Sequence, residues 1–113
     1  MVRIGSVVMN VADIHRAKGF WAAALGYKPS GGNDAILIPR DGVDVGGPAL
    51  LFDEGDRMHL DLWAANADEQ QAEVERLVSL GATRVDWTYP EDADFVVLAD
   101  TEGNLFCVVN AEG

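Results

Sequence analysis

Arg57-Met58-His59-Leu60-Asp61-Leu62-Trp63 is the stretch at which the chain starts over. Successive side chains of a strand point to opposite faces, so His59, Asp61 and Trp63 share one side and Leu60 and Leu62 the other. Leucines on one face are best explained by packing under a helix. The His-x-Asp-x-Trp row then looks into a concavity. Downstream, residues 67–80 carry an apolar stripe of Val74, Leu77 and Val78 at helical spacing, and Gly81 ends the helix. Strand-like runs follow at 83–87, 95–99 and 105–109.

The same order is found upstream. Residues 4–11 read as a strand with Val7, Met9 and Val11 on one face and Ser6, Val8 and Asn10 on the other. Asp13 can cap a helix over 14–25 whose apolar stripe is Ile14, Ala17, Phe20 or Trp21, and Ala24. Gly26 stops it. Short strands are expected at 27–29, 35–38 and 49–52, separated by turn-rich stretches at Gly31-Gly32-Asn33-Asp34 and at 40–48. Leu25-Gly26 and Leu80-Gly81 close the two helices alike, and Ser6 and His59 hold equivalent places in the two opening strands. The sequence therefore predicts an α+β fold of two βαβββ modules forming a curved mixed sheet with a cleft. It is read as a single domain over 1–113, with module one at about 4–55 and module two at about 57–110. Neither module can bury both its helix face and its sheet face alone, so the two are expected to fold as one body.

Composition narrows the function classes. With 113 residues, 49% apolar and 24% charged, the chain is an ordinary globular domain rather than a disordered one. Its apolar runs fall far short of the roughly 20 residues that a membrane span needs. The start, Met1-Val2-Arg3-Ile4-Gly5, enters a strand directly and does not read as a signal peptide. The one cysteine, Cys107, cannot form an internal disulfide, so a reducing, cytoplasmic setting is expected. A formal charge of −11 with eight scattered basic residues argues against nucleic-acid binding. It is read first as solubility, and second as an attraction for cationic ligands. There is no phosphate-binding glycine loop, no Gly-x-Ser-x-Gly elbow and no zinc-finger spacing.

Three stretches carry a family resemblance. The first is Ser6-Val7-Val8-Met9-Asn10-Val11-Ala12-Asp13 followed by Phe20-Trp21 and Leu25-Gly26-Tyr27. The second is Arg57-Met58-His59-Leu60-Asp61-Leu62, with Glu75-Arg76-Leu77-Val78 and Leu80-Gly81-Ala82 after it. The third is Val96-Val97-Leu98-Ala99-Asp100-Thr101-Glu102-Gly103-Asn104-Leu105-Phe106-Cys107. Together they resemble the vicinal oxygen chelate superfamily, which holds glyoxalase I, the fosfomycin and bleomycin resistance proteins and the extradiol dioxygenases; the match is to its glyoxalase-like subgroup. The Asp-x-Glu-Gly-Asn turn is the most specific motif, and its Gly103 and Asn104 are expected to take the positive φ of a tight turn.

The resemblance implies a place for a metal. Family members that use one chelate it with a His or Gln on a module's first strand and a Glu on its last. Here Ser6 and His59 stand on the first strands. Cys107 replaces the second Glu, and Ala49, Leu50, Leu51 and Phe52 surround the remaining position. A catalytic site wants three protein donors and an open position. His59 is the one clear donor; Cys107 and Asp61 are further candidates, and the thiol would suit zinc better than magnesium or manganese. No cofactor is expected, with a divalent metal on His59 as the alternative. His59 and Asp61 are also read as an acid–base pair. Each has a plainer reading as well: a hydrogen-bonded histidine, a partnered carboxylate, and a cysteine that fills space.

Ser6, Val8, Asn10, His59, Asp61, Trp63 and Cys107 are the expected lining of one ligand cleft, with 89–92 as a loop at its rim. Trp21 is expected in the core and His15 in solvent. The leading functional expectation is a small-molecule-binding protein of the bleomycin-resistance kind without the usual metal site. The alternative is a metal-dependent lyase, isomerase or dioxygenase using His59. The resemblance also implies a homodimer.

Overall fold

The computed structural model describes residues 1–41, 47–55 and 57–112, so the middle of the turn-rich 40–48 stretch lies outside the described residues. The elements run β1 (Arg3–Asn10), α1 (Ile14–Leu25), β2 (Lys28–Ser30), β3 (Asn33–Ile38), β4 (Ala49–Asp53), β5 (His59–Ala64), α2 (Ala67–Ser79), β6 (Thr83–Arg84), β7 (Phe95–Ala99) and β8 (Leu105–Asn110). This is an α+β fold with the βαβββ order twice over. Two compact units are present, one of residues 5–58 and one of residues 1–4 with 59–113.

The units repeat one strand pattern. In the first, β1 runs parallel to β4, with β3 and then β2 added antiparallel. In the second, β5 runs parallel to β8, with β7 and then β6 antiparallel. Returning to a parallel partner needs a long connection, and the helix with its two following strands supplies it.

Each helix covers one face of its own sheet. Asp13 accepts from the Arg16 N–H at 3.0 Å to cap α1, and Gly26 ends it at φ 70°. Val7, Met9 and Val11 pack with Ile14, Ala17, Trp21 and Ala22 around buried Leu37, Leu50 and Phe52. Of the two aromatics in question, Trp21 therefore faces the core, while Phe20 is 63% exposed with its ring edge-on to Trp21. Ala24 is exposed as well: the helix turns its stripe through Ala22, two positions earlier. On α2, Val74, Leu77 and Val78 pack with Leu98, Val108, Val96 and Phe106, and Val2 joins them from the start of the chain. Leu60 departs from the expectation that it is packed under a helix. It is 39% exposed, because that buried layer is built from β7, β8 and Val2 and leaves it outside.

One turn and one strand are shorter than their composition suggests. Only Gly31-Gly32 turn; Asn33 and Asp34 already belong to β3, where the Asn33 side chain accepts from the Ala35 N–H at 2.8 Å. β6 is also shorter than expected, since residues 85–87 leave the sheet.

Candidate functional site

Residues paired across a parallel ladder share a face. The β5–β8 register sets Leu60 opposite Phe106, Asp61 opposite Cys107, Leu62 opposite Val108 and Trp63 opposite Val109. Phe106 and Val108 belong to the core under α2. Asp61, Trp63, Cys107 and Val109 therefore occupy the face away from the helix, and His59, two residues before Asp61, joins them. On β7, Val97 lies opposite Cys107 and Phe95 opposite Val109, extending that face with apolar side chains.

One donor atom each from His59, Asp61 and Cys107 lies within 4.8 Å of the others, and all three residues are half-buried. His59 Nδ1 is 3.3 Å from Asp61 Oδ1. That contact sets an imidazole and a carboxylate side by side on this face, two groups of the kinds that serve in acid–base chemistry. Sequence alternation alone brings His59 and Asp61 together. The strand register, which the sequence does not print, brings Cys107 beside Asp61.

The turn before β8 fixes where Cys107 falls. Asp100 Oδ1 accepts from the Glu102 and Asn104 N–H groups, both at 2.8 Å, and Asn104 Nδ2 donates to Oδ2 at 3.1 Å. The Asn104 side chain first, then these backbone donors, hold the Asp100 carboxyl below the usual carboxylate range. Gly103 takes the expected left-handed φ, at 84°. Asn104 does not: its part in the motif is to clamp Asp100 rather than to supply a positive φ.

Two further residues border this face, Arg3, which the sequence reading did not place there, and Tyr89, from the loop it set at the rim. The Arg3 guanidinium sits 5.1 Å from the centre of the Trp63 ring, a cation–π contact. Tyr89 holds the 89–92 loop to the sheet, its hydroxyl accepting from the Val97 N–H at 2.8 Å and its ring 5.5 Å from Phe95. A hollow of about 300 Å³ is lined by Trp63, Asp94, Val109 and Asn110 among others. Another of about 600 Å³ is lined by Arg84, Tyr89, Pro90, Asp92, Phe95 and Val97 among others. Neither of these two is lined by His59, Asp61 or Cys107. Arg3 had a faint signal, as one of few cations in an acidic chain; the Tyr89 anchor had none beyond the loop composition around it.

In the first half the same topology carries other chemistry. Ser6 pairs with Ala49, Val8 with Leu51 and Asn10 with Asp53. The positions matching His59, Asp61 and Cys107 are thus Ser6, Val8 and Leu51. Ser6 is buried, Val8 is only 1% exposed, and Asn10 is exposed. Serine is a poor metal ligand and the other two offer no donor. The donor set of the second half is one nitrogen, one oxygen and one sulfur, which does not fit magnesium or manganese, ions that seek oxygen ligands.

A family model described as a glyoxalase-like domain matches residues 6–109. The chain belongs to the glyoxalase-like domain family. That membership places it in the vicinal oxygen chelate superfamily, as its opening strands and its Asp-x-Glu-Gly-Asn turn suggest. A chain from Legionella pneumophila, described as an NAD-dependent benzaldehyde dehydrogenase, shares this glyoxalase-like domain's fold. It has a TM-score of 0.62 and 14% identity, over 93% of this chain and 96% of that one. A glyoxalase-related enzyme from Fulvimarina pelagi is 18% identical, with a TM-score of 0.43, over 97% of this chain and 88% of that one. A glyoxalase/bleomycin resistance protein from Albidiferax ferrireducens is likewise 18% identical at a TM-score of 0.43, over 94% and 96%. Comparison with curated proteins found no match. Among the described residues, no helix is long and apolar enough to cross a membrane.

Proposed function

We propose that this glyoxalase-like domain is a small-molecule-binding protein that works without the superfamily's usual metal site. One observation carries the reading: His59, Asp61 and Cys107 are gathered on a sheet face whose other members are Trp63, Phe95, Val97 and Val109. Ligand sites have this make-up, largely apolar with a few placed polar groups. The ligand is an organic molecule with an aromatic or apolar body for Trp63 and a polar group for the His59–Asp61 pair. The acidity of the chain favours a cationic one. Ser6, Val8 and Asn10 belong to the other unit, and this reading rests on the second half alone. The protein works in the cytoplasm as a homodimer, with no nucleic-acid or membrane partner.

The test is a thermal-shift and tryptophan-fluorescence screen, run in chelator, against aromatic natural products that include bleomycin. A compound that raises the melting temperature and quenches tryptophan emission is expected. His59→Ala should lower its affinity by about tenfold or more, the equivalent of a lost charge-assisted hydrogen bond, while the circular dichroism stays unchanged. Tight binding untouched by His59→Ala and Asp61→Asn would overturn the reading.

A second reading rests on the 3.3 Å contact between His59 and Asp61. An imidazole beside a carboxylate can act as general base toward a bound substrate, which would make the protein a lyase or isomerase of the glyoxalase type. Turnover lost in His59→Ala, and lost in part in Asp61→Asn, would favour it.

A further inference from the structure

We propose that the hollow at the edge of β7, walled by the loop over 85–93, binds an aromatic amino acid as its zwitterion, with the carboxylate on Arg84 and the ammonium on Asp92. This goes beyond the ligand face of His59, Asp61 and Cys107 and does not depend on it, since none of those three lines the hollow.

The hollow exists because a strand stops. β6 pairs Thr83 with Ala99 and Arg84 with Leu98, so one more step would set Val85 opposite Val97. The chain leaves the sheet there instead, and the Tyr89 hydroxyl takes the Val97 N–H at 2.8 Å in place of a strand carbonyl. Residues 90–93 then close in a turn, the Ala93 N–H donating to the Pro90 carbonyl at 3.2 Å. Asp92 sits in that turn at φ 64°, the one non-glycine residue with positive φ among the described residues. Left-handed backbone costs energy at such a residue, and positions of this kind cluster at ligand clamps. The space between loop and sheet edge is about 600 Å³, within the range of small-molecule sites.

The lining names the ligand. The Tyr89 and Phe95 rings, 5.5 Å apart and tilted at 53°, form an apolar wall with Val85 and Val97 that suits an aromatic side chain. Charges of both signs line the same space. Arg84 and Asp92 form no ion pair with each other or with any other described residue. In a chain of nineteen acidic and eight basic residues, an arginine has carboxylates in plenty to pair with. Arg84 instead presents its guanidinium to the hollow, where it can meet a ligand carboxylate with two parallel hydrogen bonds. The net charge of −11 repels a simple anion, and Arg84 repels a simple cation. A molecule that carries one charge of each sign satisfies both groups and is neutral overall.

The experiment titrates the full chain with four compounds and follows its amide resonances. They are phenylalanine, 3-phenylpropionate (the same body without the amine), phenethylamine (without the carboxylate) and leucine. Phenylalanine should saturate one site, with shifts gathered over residues 84–97. It should bind at least about tenfold tighter than either single-charge analogue, the equivalent of one charge-assisted hydrogen bond. Leucine should bind more weakly, having no ring to set against Tyr89 and Phe95. Arg84→Gln should erase the preference for phenylalanine over phenethylamine, and Asp92→Asn the preference over 3-phenylpropionate. Asparagine accepts left-handed backbone as aspartate does, so the loop keeps its path. Circular dichroism checks the fold of each variant, and the ranking of the four compounds on the unaltered chain decides alone if a variant does not fold. His59→Ala should leave phenylalanine binding unchanged. No saturable binding of phenylalanine, equal affinity for phenylalanine and any of the other three, or binding lost in His59→Ala and kept in Arg84→Gln would overturn the proposal. The compound screen scored by His59→Ala concerns the other face, so either reading can fail while the other stands.

Discussion

Two side chains of the second half each tie another segment down through a single group. Tyr89 accepts the N–H of Val97, on the side of β7 where β6 would run if it were longer. Tyr89→Phe leaves that half-buried N–H without its acceptor. It should cost about 1–3 kcal/mol in urea unfolding, with faster amide exchange at Val97. Glu73 is the other. It is buried, receives the Val2 N–H at 2.7 Å and pairs with the Arg76 guanidinium. Arg76 first, and then the Val2 N–H, bring its pKa down from 4.5 to about 2. A depressed folded-state pKa contributes stability above the unfolded value, and that contribution is lost as pH falls through the folded value. The urea midpoint should therefore drop between about pH 4.5 and about pH 2, and Glu73→Gln should flatten that drop. An unchanged slope in Glu73→Gln would assign the acid sensitivity to other carboxylates.

At the scale of elements, both helix stops are glycines, and they are not equivalent. Gly26 has φ 70° and nothing near the place of a Cβ, whereas Gly81 has φ 119° and a Cβ there would meet Thr101 Cγ2 at 3.0 Å. Gly26→Ala should cost about 1–2 kcal/mol from the left-handed backbone alone. Gly81→Ala should cost more, because the turn that leads into β8 must also shift. Thermal denaturation of the pair measures the difference. The helices were legible because apolar spacing and end residues agreed: α1 runs over 14–25 as read, and α2 ends within one residue of expectation. The start of α2 carried a fuller signal than the apolar stripe alone. Asn66 accepts from the Glu69 N–H, and Glu69 reaches back to the Ala65 N–H, both at 2.8 Å. This is a relative of the capping box. The end of β6 was not legible, since β propensity continues through Val85 while the chain departs to bring Tyr89 to the sheet. Of the candidate site, alternation predicted the His59–Asp61–Trp63 row. The placing of Cys107 beside Asp61, and of Arg3 over Trp63, depends on pairings between residues far apart in sequence, which local patterning does not encode.

For the molecule as a whole, the duplication preserves architecture and not chemistry. Both halves repeat the same pairings, yet one puts Ser6, Val8 and Leu51 where the other puts His59, Asp61 and Cys107. The halves also divide the chain unevenly, because residues 1–4 belong with the second. Val2 packs against the core of Val74, Leu98 and Val108, and its N–H meets Glu73. Removing residues 1–3 should therefore loosen α2 and β8 more than α1 and β4. Hydrogen exchange read residue by residue checks this, and equal loosening in both halves would contradict it.

That arrangement also bears on the order in which a ribosome delivers the parts. Residues 1–4 are made well before the residues that hold them. Val2 and Glu73 are 71 positions apart, and Leu98 and Val108 follow later still. The first half can assemble from contiguous chain while synthesis continues, but residues 1–4 must wait, Val2 uncovered, until α2 and β8 arrive. Closing so wide a loop is slow compared with forming a hairpin. The rate at which residues 1–4 become resistant to protease during synthesis should accordingly be set by β7 and β8, although the segment they secure is made earlier.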